Sequence, residues 1–491
     1  ADIKKIILKK KEWLQYLFLA IILWIGAYIR TRPLHNLIDQ TTGKYITIEL
    51  DSTLWLRYAK EIVENGVLFK IDPLRAAPIG ANLSELGTFT AYFIAYLYKV
   101  LSFFSSTISI EYVANIYPVV TTIITTIFLF LLVRRLFDWR VAALSALFLN
   151  TLPSFLFRSL GGSSDHDALG MMFFIMTIYF YIAGFQSKSW KNNLLLGLIA
   201  GFLTIFGRET AGLTNFLFLI ISITLLMEAL FDKLTNKDYL AFLGWASPIL
   251  AYIIIFGNLG GIKTLATSIT TTPLLLTILF IIVMFISKNS TIKKLLRLKE
   301  PYESAQMILY SLVLASIIGF IFLGANFITR IPSRILGALA NFTSNRWVTT
   351  VAENHIAFVA DWFGQMGKTY FYLFILGSIL LFFKTTKTIG VLKKRIMLTA
   401  PYAIFLTLFI FSKYSSNSKL NGDSTLSHVF FYGSIIGFAI FIFVSWYLVF
   451  PKGSGELRKK VKDMDKSLIF LIFWFTLVAL AATTAIRFLF E

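Results

Sequence analysis

Cysteine is missing from this chain of 491 residues, and histidine occurs only four times. Without thiols there are no disulfides, no thiolate nucleophile and no cysteine-based metal site. His35, His166, His355 and His428 are scattered and form no zinc spacing such as H-E-x-x-H. Charge is scarce: 15% of the residues are Asp, Glu, Lys or Arg, against about 25% in an ordinary soluble domain. Internal repeats and low-complexity tracts are also absent from the sequence. A chain so poor in charge cannot present a water-compatible surface all round, which excludes a soluble globular protein.

Apolar sequence is what the chain has in abundance. Hydrophobic residues make up 57% of it, and the mean hydropathy is +0.74. Runs near 20 residues recur along almost the whole length, each long enough to cross about 30 Å of hydrocarbon as a helix. Single strands cannot do this, because every backbone polar group must be satisfied inside the segment. The expected fold class is an all-α integral membrane protein with about thirteen transmembrane helices. Their approximate positions are 13–30, 110–133, 141–157, 168–185, 193–206, 212–230, 239–256, 267–287, 306–327, 369–383, 396–412, 427–450 and 467–486.

The net charge of +20 would suggest nucleic acid in a soluble protein. Here the basic residues fall mostly in short loops between apolar runs, so the positive-inside rule accounts for them and no nucleic-acid partner is expected. With the N-terminus cytoplasmic, the inner segments hold about 28 of the 46 Lys and Arg residues in roughly 80 positions. The lysine-rich start and the run from Trp13 to Tyr28 read as a signal anchor rather than a cleaved signal. The expected organisation is a cytoplasmic tail and first span (1–30), then a long first external loop (31–109). A transmembrane bundle (110–327) follows, with an acidic second external loop at 158–168. A long external lid loop (328–368) and C-terminal transmembrane helices (369–491) complete it. In the first loop, Trp55, Tyr58, Ala59, Ile62 and Val63 have amphipathic helical spacing that stops at Gly66. A short apolar piece at 88–104 is expected to be re-entrant or interfacial.

Four polar motifs lie on the outer face under this topology. Asp51, just before the amphipathic stretch, is either a helix N-cap or a functional carboxylate. Asp165-His166-Asp167 crowds two carboxylates together at a membrane surface. Such a pair either faces a helix N-terminus or is relieved by a hard divalent cation, Mg²⁺ or Mn²⁺. Thr350-Val351-Ala352-Glu353 lies in the second long loop. Arg487-Phe488 ends the last span, where arginine serves as an interfacial anchor or grips a phosphate bidentately. Together they form a metal site suited to a phosphate-bearing lipid.

In this order and topology the motifs resemble those of the oligosaccharyltransferase catalytic subunits of archaeal and bacterial N-glycosylation. An early external Asp matches Asp51, and an acidic DxD-type motif matches Asp165 and Asp167. An Arg seven residues before that motif matches Arg158. A TIxE-like motif is similar to Thr350 to Glu353, and a late Arg-Phe to Arg487-Phe488. More helices separate Glu353 from Arg487 than in the simplest bacterial members, a pattern that resembles the archaeal ones.

The resemblance implies a C-type membrane glycosyltransferase fold and a metal-dependent, inverting reaction. An oligosaccharide on a polyprenyl or dolichyl (di)phosphate passes to the Asn amide of an N-x-S/T sequon in an acceptor protein. By the same resemblance Asp51 and Glu353 engage the amide, and Asp51, Asp165, Asp167 and Glu353 hold Mg²⁺ or Mn²⁺. Arg487 binds the lipid phosphate, Arg158 orients the acidic cluster, and Thr350 lines the acceptor-peptide groove. Membrane lipids are the remaining partners, and the cell membrane is the expected location. Family members also carry a soluble C-terminal domain with a WWDYG motif. None of the ten Trp here are adjacent, so a separate chain is expected to supply that domain unless the chain is a fragment. Two sequons, Asn82-Leu83-Ser84 and Asn341-Phe342-Thr343, make self-glycosylation a further expectation.

Three rival readings compete. Another lipid-phosphate-sugar glycosyltransferase, acting on a hydroxyl or a glycan, shares an acidic first loop but not the Glu353 motif. A transporter or flippase buries ionisable groups at mid-membrane, whereas these spans are nearly free of acids. An inactive scaffold subunit needs no acidic set at all.

Overall fold

A computed structural model describes residues 2–83, 86–256, 261–327, 329, 333–334, 350–450, 453 and 455–490. The described chain is helical apart from one short hairpin, which confirms the all-α membrane class. Among the described residues, ten helices are long and apolar enough to cross a bilayer, or eleven if one bent pair is a single span. All thirteen apolar segments expected to span are helical, but three fall short of full length. The segment at 141–157 splits before Pro153 into α5 (Trp139–Thr151) and α6 (Pro153–Phe157), because the residue before a proline avoids the helical region. The segment at 267–287 yields α12 (Thr272–Ile286), of 15 residues. The last forms α20 (Lys466–Ala482), bent by 70° from the short α19 (Gly455–Lys462).

Two compact units divide the chain. Residues 1–214 and 240–261 form the first. It contains α1 (Asp2–Thr31), α2 (Leu50–Asn65), α3 (Phe89–Phe104), α4 (Ile110–Leu136), α7 (Asp167–Gln186) and α8 (Trp190–Arg208), besides α5 and α6. The amphipathic stretch is α2. Trp55, Tyr58, Ala59 and Ile62 are buried along one face against α3, α4 and α7. Gly66 closes this helix with φ +81, and its N–H donates to the Ile62 carbonyl; glycine adopts this left-handed conformation without strain. The N-cap is Glu49, with Asp51 in the first turn, so the N-cap alternative for Asp51 does not hold.

The segment after α2 folds back as a hairpin of β1 (Ile71–Asp72) and β2 (Ala81–Asn82). Asp72, fully buried, accepts from Arg57 (Nη1 at 3.0 Å), from the Tyr58 hydroxyl at 2.7 Å and from the Leu74 amide at 3.1 Å. The Arg57 bond, aided by Tyr58 and Leu74, outweighs burial and holds this carboxyl at about 2. The sequon residue Asn82 is exposed in β2. The second sequon, at 341–343, lies outside the described residues, as does most of the expected lid loop before Thr350.

Pro118 sits inside α4. It carries no N–H, so the Ala114 carbonyl four residues earlier loses its helical donor. The Ser164 hydroxyl donates to that carbonyl instead. Thr121 and Thr122 donate their hydroxyls to the Pro118 carbonyl at 3.0 and 2.8 Å.

The second unit comprises residues 215–239 and 262–491. Its helices include α9 (Asn215–Leu230), α12, α14 (Glu303–Leu323), α15 (Val359–Met366), α16 (Lys368–Thr385), α17 (Leu392–Phe411), α18 (Thr425–Val449), α19 and α20. The intervening α10 (Asn236–Phe256) contributes residues to both units. The shorter α11 (Gly261–Thr267) and α13 (Ser290–Leu295) lie on either side of α12. Aromatic stacking binds α16, α17 and α18. Tyr402 lies parallel to Phe382 at 4.5 Å between ring centroids, and Phe405 to Phe438 at 4.6 Å, the short end of the range for such pairs.

Candidate active site

The acidic loop in the first unit, Arg158 to Asp167, is tied down from three directions. The Arg30 carbonyl at the end of α1 accepts from the Gly161 amide at 2.8 Å. The Arg30 side chain is fully buried and donates to Ser159 Oγ at 2.8 Å. The segment before α2 runs alongside the loop. The Ile48 amide donates to the Gly162 carbonyl at 3.1 Å, Ser163 Oγ to Glu49 Oε1 at 2.7 Å, and the Ser164 amide to Ser52 Oγ at 2.7 Å. From α4, the Asn115 carbonyl accepts from the Gly162 amide at 3.0 Å, and the Tyr117 hydroxyl donates to the Asp165 carbonyl. Gly162 has φ +97, and a Cβ there would lie 2.3 Å from Leu37, so both backbone and space demand glycine.

The carboxylates are thus presented by a fixed backbone. Asp165 and Asp167 are each 7% exposed. Asp165 Oδ1 accepts from Trp55 Nε1 at 3.3 Å and from the His166 amide at 2.7 Å, and lies 2.5 Å from His166 Nδ1. Burial works against the charged form of Asp165. The His166 ring and amide and Trp55 outweigh it and hold the carboxyl at about 2. Asp167 opens α7 as its first residue, where the helix N-terminus favours negative charge. It pairs with Arg158 Nη1 at 3.1 Å, and its other oxygen lies 3.7 Å from His166 Nε2.

Among the described residues, Asp165, His166 and Asp167 form the cluster with metal-ligand spacing, all three ligand atoms lying within 4.8 Å of one another. Two hard carboxylate oxygens and one borderline imidazole fit a divalent cation. Asp51 is exposed one residue before Ser52, which bonds the loop at Ser164, and is not among the three residues whose ligand atoms lie within 4.8 Å. The structure therefore brings Asp51, Arg158, Asp165 and Asp167 to one end of the first unit. It adds Glu49, Trp55, Tyr117 and His166, which carry no sequence signal beyond their neighbours.

In the second unit, Glu353 is half-buried in a 3₁₀ turn, Ala352–Asn354, and Thr350 is exposed just before it. Arg487 is exposed in the 3₁₀ turn Ile486–Phe490. The two turns are joined directly. The Ile486 amide donates to the His355 carbonyl at 3.0 Å, and Arg487 Nη1 to Asn354 Oδ1 at 3.3 Å. Thus Thr350, Glu353 and Arg487, up to 137 positions apart, share one corner of this unit. Lys413 is buried nearby in the same unit. It donates to the Thr483 carbonyl at 3.0 Å, and burial pushes its ammonium down to about 8.

Residues 87–246 match the family model of the dolichyl-phosphate-mannose-protein mannosyltransferases. No curated protein matches the chain. Among solved structures, the archaeal oligosaccharyltransferase AglB from Archaeoglobus fulgidus, in complex with an inhibitory peptide and a dolichol-phosphate, is similar with a TM-score of 0.61 at 17% identity. That match covers 89% of this chain and 51% of that one. The Archaeoglobus fulgidus oligosaccharyltransferase tethered to an acceptor peptide with an NVT sequon gives 0.59 at 17% identity, covering 98% and 55%. Its complex with zinc and sulfate gives 0.55 at 15% identity, covering 91% and 53%. The chain has the fold of that membrane glycosyltransferase and spans about half its length.

Proposed function

We propose that the chain carries the transfer site of a protein N-glycosyltransferase. It moves an oligosaccharide from a polyprenyl or dolichyl (di)phosphate to the Asn amide of N-x-S/T sequons, on the extracytoplasmic face. The observation that carries this reading is the Asp165-His166-Asp167 cluster in a fold shared with an oligosaccharyltransferase. An amide nitrogen is a poor nucleophile because its lone pair is delocalised into the carbonyl. Asp51 and Glu353 accept hydrogen bonds from its two N–H groups and polarise it. The anomeric carbon–oxygen bond to phosphate breaks as the carbon–nitrogen bond forms on the opposite face, which inverts the centre. The surplus amide proton passes to a carboxylate.

Asp165 and Asp167, with Asp51 and Glu353, are the residues that would hold Mg²⁺ or Mn²⁺, and a bound cation there supplies positive charge for the leaving phosphate. Arg487 holds the same phosphate electrostatically. Arg158 fixes Asp167, and Thr350 borders the acceptor peptide. The charge distribution supports a cytoplasmic N-terminus in the cell membrane, with the acidic loop outside.

The match over residues 87–246 to a mannosyltransferase family favours a second reading, transfer from the same class of carrier to a hydroxyl. A metal-supplemented assay offering Asn-sequon and Thr-only peptides side by side separates them. The proposal expects glycosylated Asn peptide, and loss of transfer with retained carrier binding in Asp51→Ala and Glu353→Ala. Near wild-type turnover in either variant overturns the assigned roles, and product on the Thr-only peptide alone selects the second reading.

A further inference from the structure

The second unit contains a cavity of about 450 Å³ whose lining includes none of the proposed transfer-site residues. Its walls come from α9, α17, α18, α19 and α20 and from the turn that follows α16. They are almost wholly apolar, with Met397, Phe438, Phe441, Ile442, Ile472 and Phe473 among them. Polar side chains gather toward one end, where α9, α16 and α18 finish and α17 begins. There Glu228, Lys233, Thr385, Thr386 and Lys394 join the lining.

Dimensions limit the occupant. Phe438 and Val449 both line the cavity, and eleven residues of helix rise about 16 Å, half of a hydrocarbon core of about 30 Å. An apolar space of that reach matches a hydrocarbon tail extending from one membrane face to the mid-plane.

Charge at the polar end selects the headgroup. Lys233 is already engaged, donating to the carbonyls of Val461, Lys462 and Met464 at 3.0, 2.6 and 2.7 Å. Glu228 is buried beside Lys233, Asp238 and Lys466, and Lys466 pairs with Asp238. Lys394 remains, exposed on the rim and flanked by Lys393, with Lys387 in the preceding turn. Among the described residues none of these three is in an ion pair. Residues 384–395 carry five basic side chains and no acidic one.

We propose that this cavity binds an anionic membrane phospholipid of the leaflet that meets Lys393 and Lys394, one tail lying between α18 and α20 and the phosphate at the lysine rim. The site is independent of the transfer reaction and of its lipid carrier.

The test uses the full chain in phosphatidylcholine nanodiscs, doped with phosphatidylglycerol that carries a photoreactive diazirine on one tail. Adducts are expected within 438–449 and 469–476. Ser445→Trp, which fills the cavity, is expected to lower them by about tenfold. Val444→Trp, placed on the exposed side of the same helix (Val444 is 43% exposed), is expected to leave them unchanged and controls for misfolding. The double variant Lys393→Gln, Lys394→Gln is expected to reduce the preference for phosphatidylglycerol over diazirine-tailed phosphatidylcholine by about tenfold. Equal labelling by the two headgroups in the wild type overturns the proposal, as do adducts that survive Ser445→Trp or none within these segments. Displacement by dolichyl phosphate but not by unlabelled phosphatidylglycerol also overturns it, by assigning the cavity to the carrier.

Discussion

Ser164 donates its hydroxyl to the Ala114 carbonyl that Pro118 leaves without a helical partner. The proline in a membrane helix and the serine in the acidic loop are therefore one device. The helix defect provides the acceptor, and the loop is pinned one residue before Asp165. Ser164→Ala should leave a buried carbonyl unsatisfied and cost about 1–3 kcal/mol. Adding Pro118→Ala returns an amide N–H to that carbonyl, so the double variant should regain much of the loss. Thermal unfolding of the four proteins in detergent measures the coupling. Strictly additive effects would show that the two residues act separately.

Asp165→Asn should abolish tight Mn²⁺ binding. His166→Gln should weaken it by about 10-fold to 100-fold, the usual effect of losing a group that orients a ligand. Electron paramagnetic resonance titration of free Mn²⁺ reads both without any need for turnover. Wild-type affinity in Asp165→Asn would remove the cluster from consideration as a metal site.

Arg487 meets Asn354 through one guanidinium nitrogen at 3.3 Å, which leaves the rest of the fork for a phosphate. Arg487→Lys keeps the charge but loses the planar pair of donors. It should cut transfer by about 10²-fold, with the loss expressed mainly in kcat. An unchanged rate in this variant would argue for a plain interfacial anchor.

The hairpin after α2 should loosen in acid. The Asp72 carboxyl is held at about 2, below the 3.8 of an ordinary aspartate. Its contribution to stability is thus fully present above 3.8 and is lost as pH falls through 3.8 toward 2. Hydrogen-exchange protection at residues 71–82, taken relative to intrinsic exchange at each pH between 5 and 2.5, should fall in that window. Asp72→Asn should show the lowered protection already at pH 5. A hairpin equally protected at both ends of the range would count against this pinning role.

Much of the architecture was legible because bilayer physics acts on local sequence. Segment length and apolarity mark a span wherever they occur, so all thirteen apolar segments could be placed without any tertiary information. The α2 stretch was equally readable, since its spacing and Gly66 are local signals. The two paired aspartates stood out by adjacency. What lay hidden depends on distant partners. Trp55 reads as an ordinary core aromatic until its indole N–H is found on Asp165, 110 positions away. Arg30 lies within an expected span and gives no hint that it braces Ser159. The joining of Asn354 to Arg487 crosses 133 positions. The hairpin at 71–82 was missed because two-residue strands are too short for any alternation to register.

The partners of the two aspartates carry one more consequence. Arg158, Trp55 and the His166 ring and amide already balance Asp165 and Asp167, and Arg30, Ser52 and Tyr117 brace the loop that bears them. The loop keeps its shape from protein contacts alone. Chelation of divalent ions should therefore leave the protection of this loop from hydrogen exchange unchanged.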